Sequence, residues 1–162
     1  MSSQAFVVPL PIRPESANSH PALRFYAEYG QNFPKTEEAW ATTPWESYYS
    51  ADCRMRMVDG TYIEGGAKCW QFFRKLYARF PAVEREMLSM IVVTEGESLY
   101  RIHAEFITKL QVEGEERMVE SPQAFVYTLG QADAEKGTQG MQFRELRNYY
   151  DLRTLESALT TT

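Results

Sequence analysis

Few side chains in this sequence can move a proton or hold an oxyanion, and they fall at definable positions. His103 is one of two histidines in 162 residues. It stands two places before Glu105 in the stretch from Leu99 to Val112, so the two share a face if that stretch is a strand. Asp59 follows Cys53, Met55 and Met57 in strand phase and closes that run at an Asp-Gly pair. Near the end of the chain, Arg147 and Tyr149 fall in phase with Phe143 and Glu145. An imidazole or carboxylate tuned by burial can take up and return a proton, while an arginine beside a phenol can hold an oxygen on which charge develops. His103, Asp59 and Glu105 are therefore candidate proton carriers, and Arg147 is a candidate oxyanion holder.

Each candidate has an ordinary alternative. His103 and Glu105 alternate with Arg101 and Lys109, whereas Tyr100, Ile102 and Phe106 make the more apolar face, which would leave the pair on an outer or dimer-forming surface. An aspartate before glycine often bonds only its own turn. Arg147 and Glu145 could form a ladder across a sheet. Glu84 and Glu86, just after Pro81, are either the rim of a pocket or solvated charge.

Aromatic residues make up 14% of the chain, enough to fill a core or line a cavity. Tyr26, Trp45, Tyr49, Trp70, Phe73, Phe125 and Tyr127 are candidate walls, with Tyr149 on the last strand. Gln123, in phase with Phe125 and Tyr127, offers a polar contact, and Met57 an adaptable apolar one. Helical or strand spacing explains most of these rings equally well as core.

Net charge is -5, with a sequence pI of about 5.2, which argues against a nucleic-acid surface built on clustered Lys and Arg. The two cysteines, Cys53 and Cys69, have no metal-ligand spacing and read as buried free thiols of a reducing compartment. No run approaches the ~20 apolar residues of a membrane span, and the start lacks a basic-then-apolar signal, so the cytoplasm is the expected location. There is no Gly-rich phosphate loop, no G-x-S-x-G elbow and no paired histidine spacing for zinc.

The elements that must position these groups come as helices first and strands afterwards. Residues 1–21 carry Pro9, Pro11, Pro14 and Pro21 and are expected as a flexible arm, although Phe6-Val7-Val8 could dock on the body. Pro21 opens a helix that ends at Gly30, a second starts at Thr36-Glu37-Glu38, and a third covers Ala67 to Ala78. Strands are predicted over Cys53–Val58, Thr61–Glu64, Glu84–Thr94, Leu99–Val112, Arg117–Leu129 and Met141–Asp151. Pro122 suggests a bulge or an edge within its strand. A closing turn follows at Leu152–Leu159, and residues 160–162 are expected to be disordered.

This order resembles the nuclear transport factor 2-like superfamily, and most closely its SnoaL-like polyketide-cyclase branch. Three segments carry the resemblance: the strand and turn from Cys53 to Thr61, the Glu64-Gly65-Gly66 entry to the third helix, and the ending Glu145-Leu146-Arg147-Asn148-Tyr149-Tyr150-Asp151. It covers residues 22–159 as a single domain. The resemblance implies an α+β cone, a strongly curved mixed sheet packed against three helices of the N-terminal half, with a pocket inside. It implies chemistry without cofactor or metal, and it favours His103, since scytalone dehydratase-like members use a strand histidine in a comparable region. The clear His/Asp pair of many SnoaL-like cyclases is absent from the long strand.

The expected function is acid-base isomerisation, cyclisation or dehydration of a hydrophobic secondary metabolite. The alternative is a noncatalytic binding or dimerisation module. A homodimer through the outer sheet face is expected, with no nucleic-acid or membrane partner.

Overall fold

The computed structural model describes residues 4–157. In chain order these form β1 (Gln4–Val7), α1 (Pro14–Ser19), α2 (Pro21–Gln31), α3 (Glu37–Thr42), a 3-10 turn at Trp45–Ser47, β2 (Tyr49–Arg56), β3 (Tyr62–Glu64), α4 (Gly66–Tyr77), β4 (Val83–Thr94), β5 (Tyr100–Gln111), β6 (Met118–Gln131), β7 (Met141–Tyr150) and α5 (Leu152–Ser157). One seven-stranded sheet runs in the order β1-β4-β5-β6-β7-β2-β3. Only the β2–β7 pairing is parallel. The mixed, curved, unclosed sheet and the helices on its concave side are the α+β cone that the order of elements predicts.

The helices form where local chemistry favours them. Pro21 sits at the start of α2, and His20 caps it, its Nδ1 accepting from the Ala22 amide at 3.2 Å. Thr36 caps α3 by accepting from the Ala39 amide at 3.1 Å. Gly30 lies inside α2 rather than ending it, and the helix closes two residues later at Asn32. The apolar stripes of α2 (Phe25, Tyr26, Tyr29) and α4 (Trp70, Phe73, Tyr77) are buried against the sheet. At the entry to α4, Gly66 passes so close to the Ser50 carbonyl and the Trp45 ring that a Cβ would overlap both.

One segment departs from the sequence reading for physical reasons, and one open alternative is decided. Residues 1–21, expected as a flexible arm that forms no helix, contain both β1 and α1. β1 supplies the hydrogen-bonding partner that the edge of β4 lacks, and Pro14 stands in the first turn of α1, where its missing N–H costs nothing. Pro122 makes no bulge against β5, where the register runs unbroken through Ile107↔Pro122. It lies one residue beyond the last β6–β7 pair, Gln123↔Tyr150, so it is an edge position on that side. The expected tail 160–162 lies outside the described residues.

Two bulges set which side chains enter the cone. Along β5, without irregularity, Ile102, Ala104, Phe106, Thr108 and Leu110 are buried in strict alternation. In β4 the register shifts between Met87 and Ser89, leaving Leu88 as the extra residue. Met90 and Val92 point inward after the shift, while before it Val83, Arg85 and Met87 take that side. The shift between Thr128 and Leu129 in the β6–β7 register does the same to β7, with Arg144 as the extra residue. Phe143 faces inward before it and Leu146 and Asn148 after it, so Glu145, Arg147 and Tyr149 turn outward. Among the described residues, no helix is long and apolar enough to cross a membrane.

Candidate functional site

Much of the cone is solid. Phe73, Phe125, Tyr127 and Phe143 are almost fully buried and stack in sequence, with Phe125–Tyr127 and Tyr127–Phe143 centroids 5.5 and 4.7 Å apart. A cavity of about 420 Å³ remains at the open end, between the C-terminal half of α2, the loop through Phe33 and Lys35, the first residues of β4, and Phe106 of β5. Tyr26 and Tyr29 are its buried wall; Gly30, Lys35 and Glu84 are exposed and mark its mouth.

Arg85 is the candidate residue that this geometry singles out. It enters the cavity because the Leu88 bulge reverses the side-chain alternation of β4. Its guanidinium carbon lies 4.1 Å from the centroid of Phe33, 5.0 Å from Tyr77, 5.7 Å from Phe125 and 5.9 Å from Phe106. Each such contact contributes about 0.5–2 kcal/mol, more when desolvated. Its Nε is buried and has no hydrogen-bond partner, and none of the ion pairs among the described residues includes it. An unpaired buried donor of a charged group costs about 1–3 kcal/mol or more. Rings thus hold the cation in place while its donors stay unused.

The electrostatics keep that charge. Burial opposes the ionised form of Arg85, but the oxygens of Tyr77, Tyr29, Tyr127 and Tyr26 outweigh it and the pKa is raised. Burial likewise pushes the hydroxyls of Tyr26 and Tyr29 up, with Arg85 acting against the rise. Those phenols are neutral donors at ordinary pH, suited to hydrogen bonding rather than to taking a proton. Behind them the Tyr29 and Tyr49 hydroxyls are 3.1 Å apart. Gln123 Oε1 accepts from Tyr77 and from Thr108, both at 3.0 Å.

The residues singled out from sequence are distributed differently. His103 and Glu105 project from the outer face of β5 and are exposed, and Glu105 accepts from the Ser89 hydroxyl at 2.8 Å. Asp59 is exposed at the tight turn, where it accepts from the Thr61 amide at 2.9 Å and its hydroxyl at 2.7 Å. Arg147 lies outside as well, 3.1 Å from Glu145, which also binds Arg54 at 2.7 Å. None of these four lines the cavity. The expectation that they converge is corrected by β5 parity, by the turn itself and by the Arg144 bulge.

Of the expected walls, Tyr26 reaches the cavity. Tyr49, Trp70, Phe73, Gln123, Phe125 and Tyr127 are buried within the packed interior, and Trp45 and Met57 pack partly buried against it. Tyr149 is 44% exposed on the outer face. Cys53 and Cys69 are free and buried, as expected. Among the described residues no cluster of His, Cys, Asp or Glu could hold a metal ion. Arg85 went unnoticed in the sequence, although its signal was present: it shares period-two phase with apolar Val83 and Met87.

No protein-family model matches the sequence, and no curated protein matches it either. Solved structures do resemble the chain. An NTF-2 like protein of unknown function from Pseudomonas aeruginosa superposes with a TM-score of 0.59 at 12% identity, covering 82% of this chain and 99% of the other. Proteins described as SnoaL-like polyketide cyclases from Shewanella putrefaciens CN-32 and Jannaschia sp. CCS1 give TM-scores of 0.53 and 0.51 at 16% and 19% identity. Each covers 95% of this chain, and the matches span 96% and 97% of those proteins. The S. rosetta CaMKII hub gives 0.55 at 10% identity over 88% of this chain and all of its own. By element order, sheet topology and these likenesses, the chain has the nuclear transport factor 2-like fold, in the form shared with SnoaL-like proteins.

Proposed function

We propose that the chain admits a hydrophobic small molecule through the mouth of the cone and isomerises or cyclises it by way of an enolate. Arg85 holds the substrate oxygen. The observation that carries this reading is a guanidinium inside a ring-lined cavity with no carboxylate of its own. Such a group stabilises negative charge that develops on a carbonyl oxygen when a proton leaves the neighbouring carbon. Glu84 touches the lining at its exposed mouth but lies on the other side of β4 from Arg85, so water admitted through the mouth takes up the proton that leaves carbon. Tyr26 and Tyr29 donate to the same oxygen or to a second one.

Deuterium exchange into 2-tetralone, followed by NMR in D₂O, tests enolisation directly. Wild type should accelerate exchange over buffer, and Arg85→Met should reduce it about 100-fold. No acceleration by wild type rejects the enzymatic reading.

One observation favours a second reading, a noncatalytic binding module. Glu84 stands at the rim rather than beside Arg85 in the wall, and no histidine lines the cavity. Binding of 2-tetralone without exchange would select it. In either case a homodimer through the outer sheet face is proposed, where Leu88, Ile91 and Tyr149 are 51%, 39% and 44% exposed. Light scattering that shows a monomer at micromolar concentration would remove that part.

A further inference from the structure

We infer that the natural ligand of the cavity is a small, flat organic acid bound as its carboxylate, with one or two rings in its apolar body, rather than a neutral ketone or alcohol. The inference rests on the cavity being the ligand site, as proposed above; a carboxylate at Arg85 takes the place of the ketone oxygen there, so it deepens the binding reading rather than the enolate one.

The charge follows from what Arg85 lacks. A guanidinium presents five N–H donors in a planar fork that matches the two oxygens of a carboxylate. Here the fork receives no oxygen from the protein among the described residues, and its Nε is orphaned. The Phe33 ring centroid lies 4.1 Å from its guanidinium carbon, and a ring takes none of the N–H donors that an acceptor would use. A neutral carbonyl would take one donor and leave the charge uncompensated. A carboxylate takes two donors and neutralises the charge. The lining as a whole points the same way: Arg85 and Lys35 against Glu84 make it net positive, in a chain of net charge -5.

The shape follows from the walls. About 420 Å³ lies toward the small end of ligand sites, which span roughly 300–1,000 Å³. The faces and edges of Tyr26, Tyr29, Phe33 and Phe106 bound it, a lining suited to a flat body stacked among rings. A phosphate dianion fits less well, since it calls for several converging cations or backbone N–H groups, whereas Arg85 is the one half-buried cation on this lining and Lys35 is exposed at the mouth.

The test is isothermal titration calorimetry of the full chain with 2-naphthoate and its neutral isostere 2-naphthamide at pH 7. The acid should bind at least about tenfold more tightly in wild type. Arg85→Met should bring naphthoate to the level of naphthamide, and Arg85→Lys should keep part of the preference, with circular dichroism reporting that both variants fold. Naphthamide binding as tightly as naphthoate in wild type would overturn the inference while leaving the cavity a ligand site. If neither probe binds, the inference falls, and tetralone exchange judges the enzymatic reading separately. An acid preference that survives in Arg85→Met would overturn the assignment of Arg85.

Discussion

The guanidinium of Arg85 lies 4.1 Å from the ring centroid of Phe33, so the cation that enters the cone is held by an aromatic face and not by a carboxylate. A fold built only for stability has little use for that arrangement, because replacing buried charge with apolar groups is often neutral or stabilising. The arrangement leaves the donors of Arg85 available to a guest.

Arg85→Met should therefore separate stability from function. Urea unfolding should show stability unchanged within about 1 kcal/mol, or raised, because lost cation–π contacts offset relief of the orphaned Nε. Binding of 2-naphthoate should collapse in the same variant. A large destabilisation with binding retained would mean that Arg85 is structural.

Deleting Leu88 should leave Arg85 in the cone, as truncating it does. Loss of the extra residue brings Met87↔Phe106 and Ser89↔Glu105 into one unbroken register, so Val83, Arg85 and Met87 stay on the inner side and Glu84 and Glu86 on the outer. Leu88→Ala removes an exposed side chain and should cost less than about 1 kcal/mol. Titration of both variants with 2-naphthoate checks this; binding lost on deletion and kept in Leu88→Ala would contradict it.

His103→Ala, Glu105→Gln, Asp59→Asn and Arg147→Ala should each leave tetralone exchange within about twofold of wild type, the effect expected of substitutions on an outer surface. A loss of an order of magnitude in any one would return that residue to the site.

The buried phenols make stability fall in alkali. Burial raises the pKa of Tyr26, Tyr29, Tyr49 and Tyr127 in the folded chain above the ordinary value of 10.0. Their contribution is fully present below the unfolded pKa. It is lost as pH rises beyond about 10, where the unfolded chain releases protons that the folded one retains. Absorbance at about 295 nm should therefore show these tyrosines ionising together with unfolding. Reversible, noncooperative titration of every tyrosine before unfolding would contradict their burial.

Gly66→Ala should destabilise the entry to α4. An added Cβ would clash with the Ser50 carbonyl and come 2.8 Å from the Trp45 ring, both held by neighbouring elements. A loss of about 1–3 kcal/mol is expected in urea unfolding. A neutral result would show that Trp45 can move aside.

The order of elements was legible in the sequence because local rules govern it. Pro21 and Thr36 open helices, Asp59-Gly60 turns the chain, and the alternation from Tyr100 to Leu110 declares a strand and the face that it buries. That same alternation already weighed against His103 and Glu105. What the tertiary structure alone decided is which residues enter the cone from β4 and β7. A bulge adds one residue and reverses every side chain beyond it, and Leu88 and Arg144 do so without a composition that marks them. Arg85 is thereby carried in and Arg147 carried out, because a register is fixed by pairing between strands distant in sequence and by the packing of the sheet against α2 and α4, which no single segment encodes.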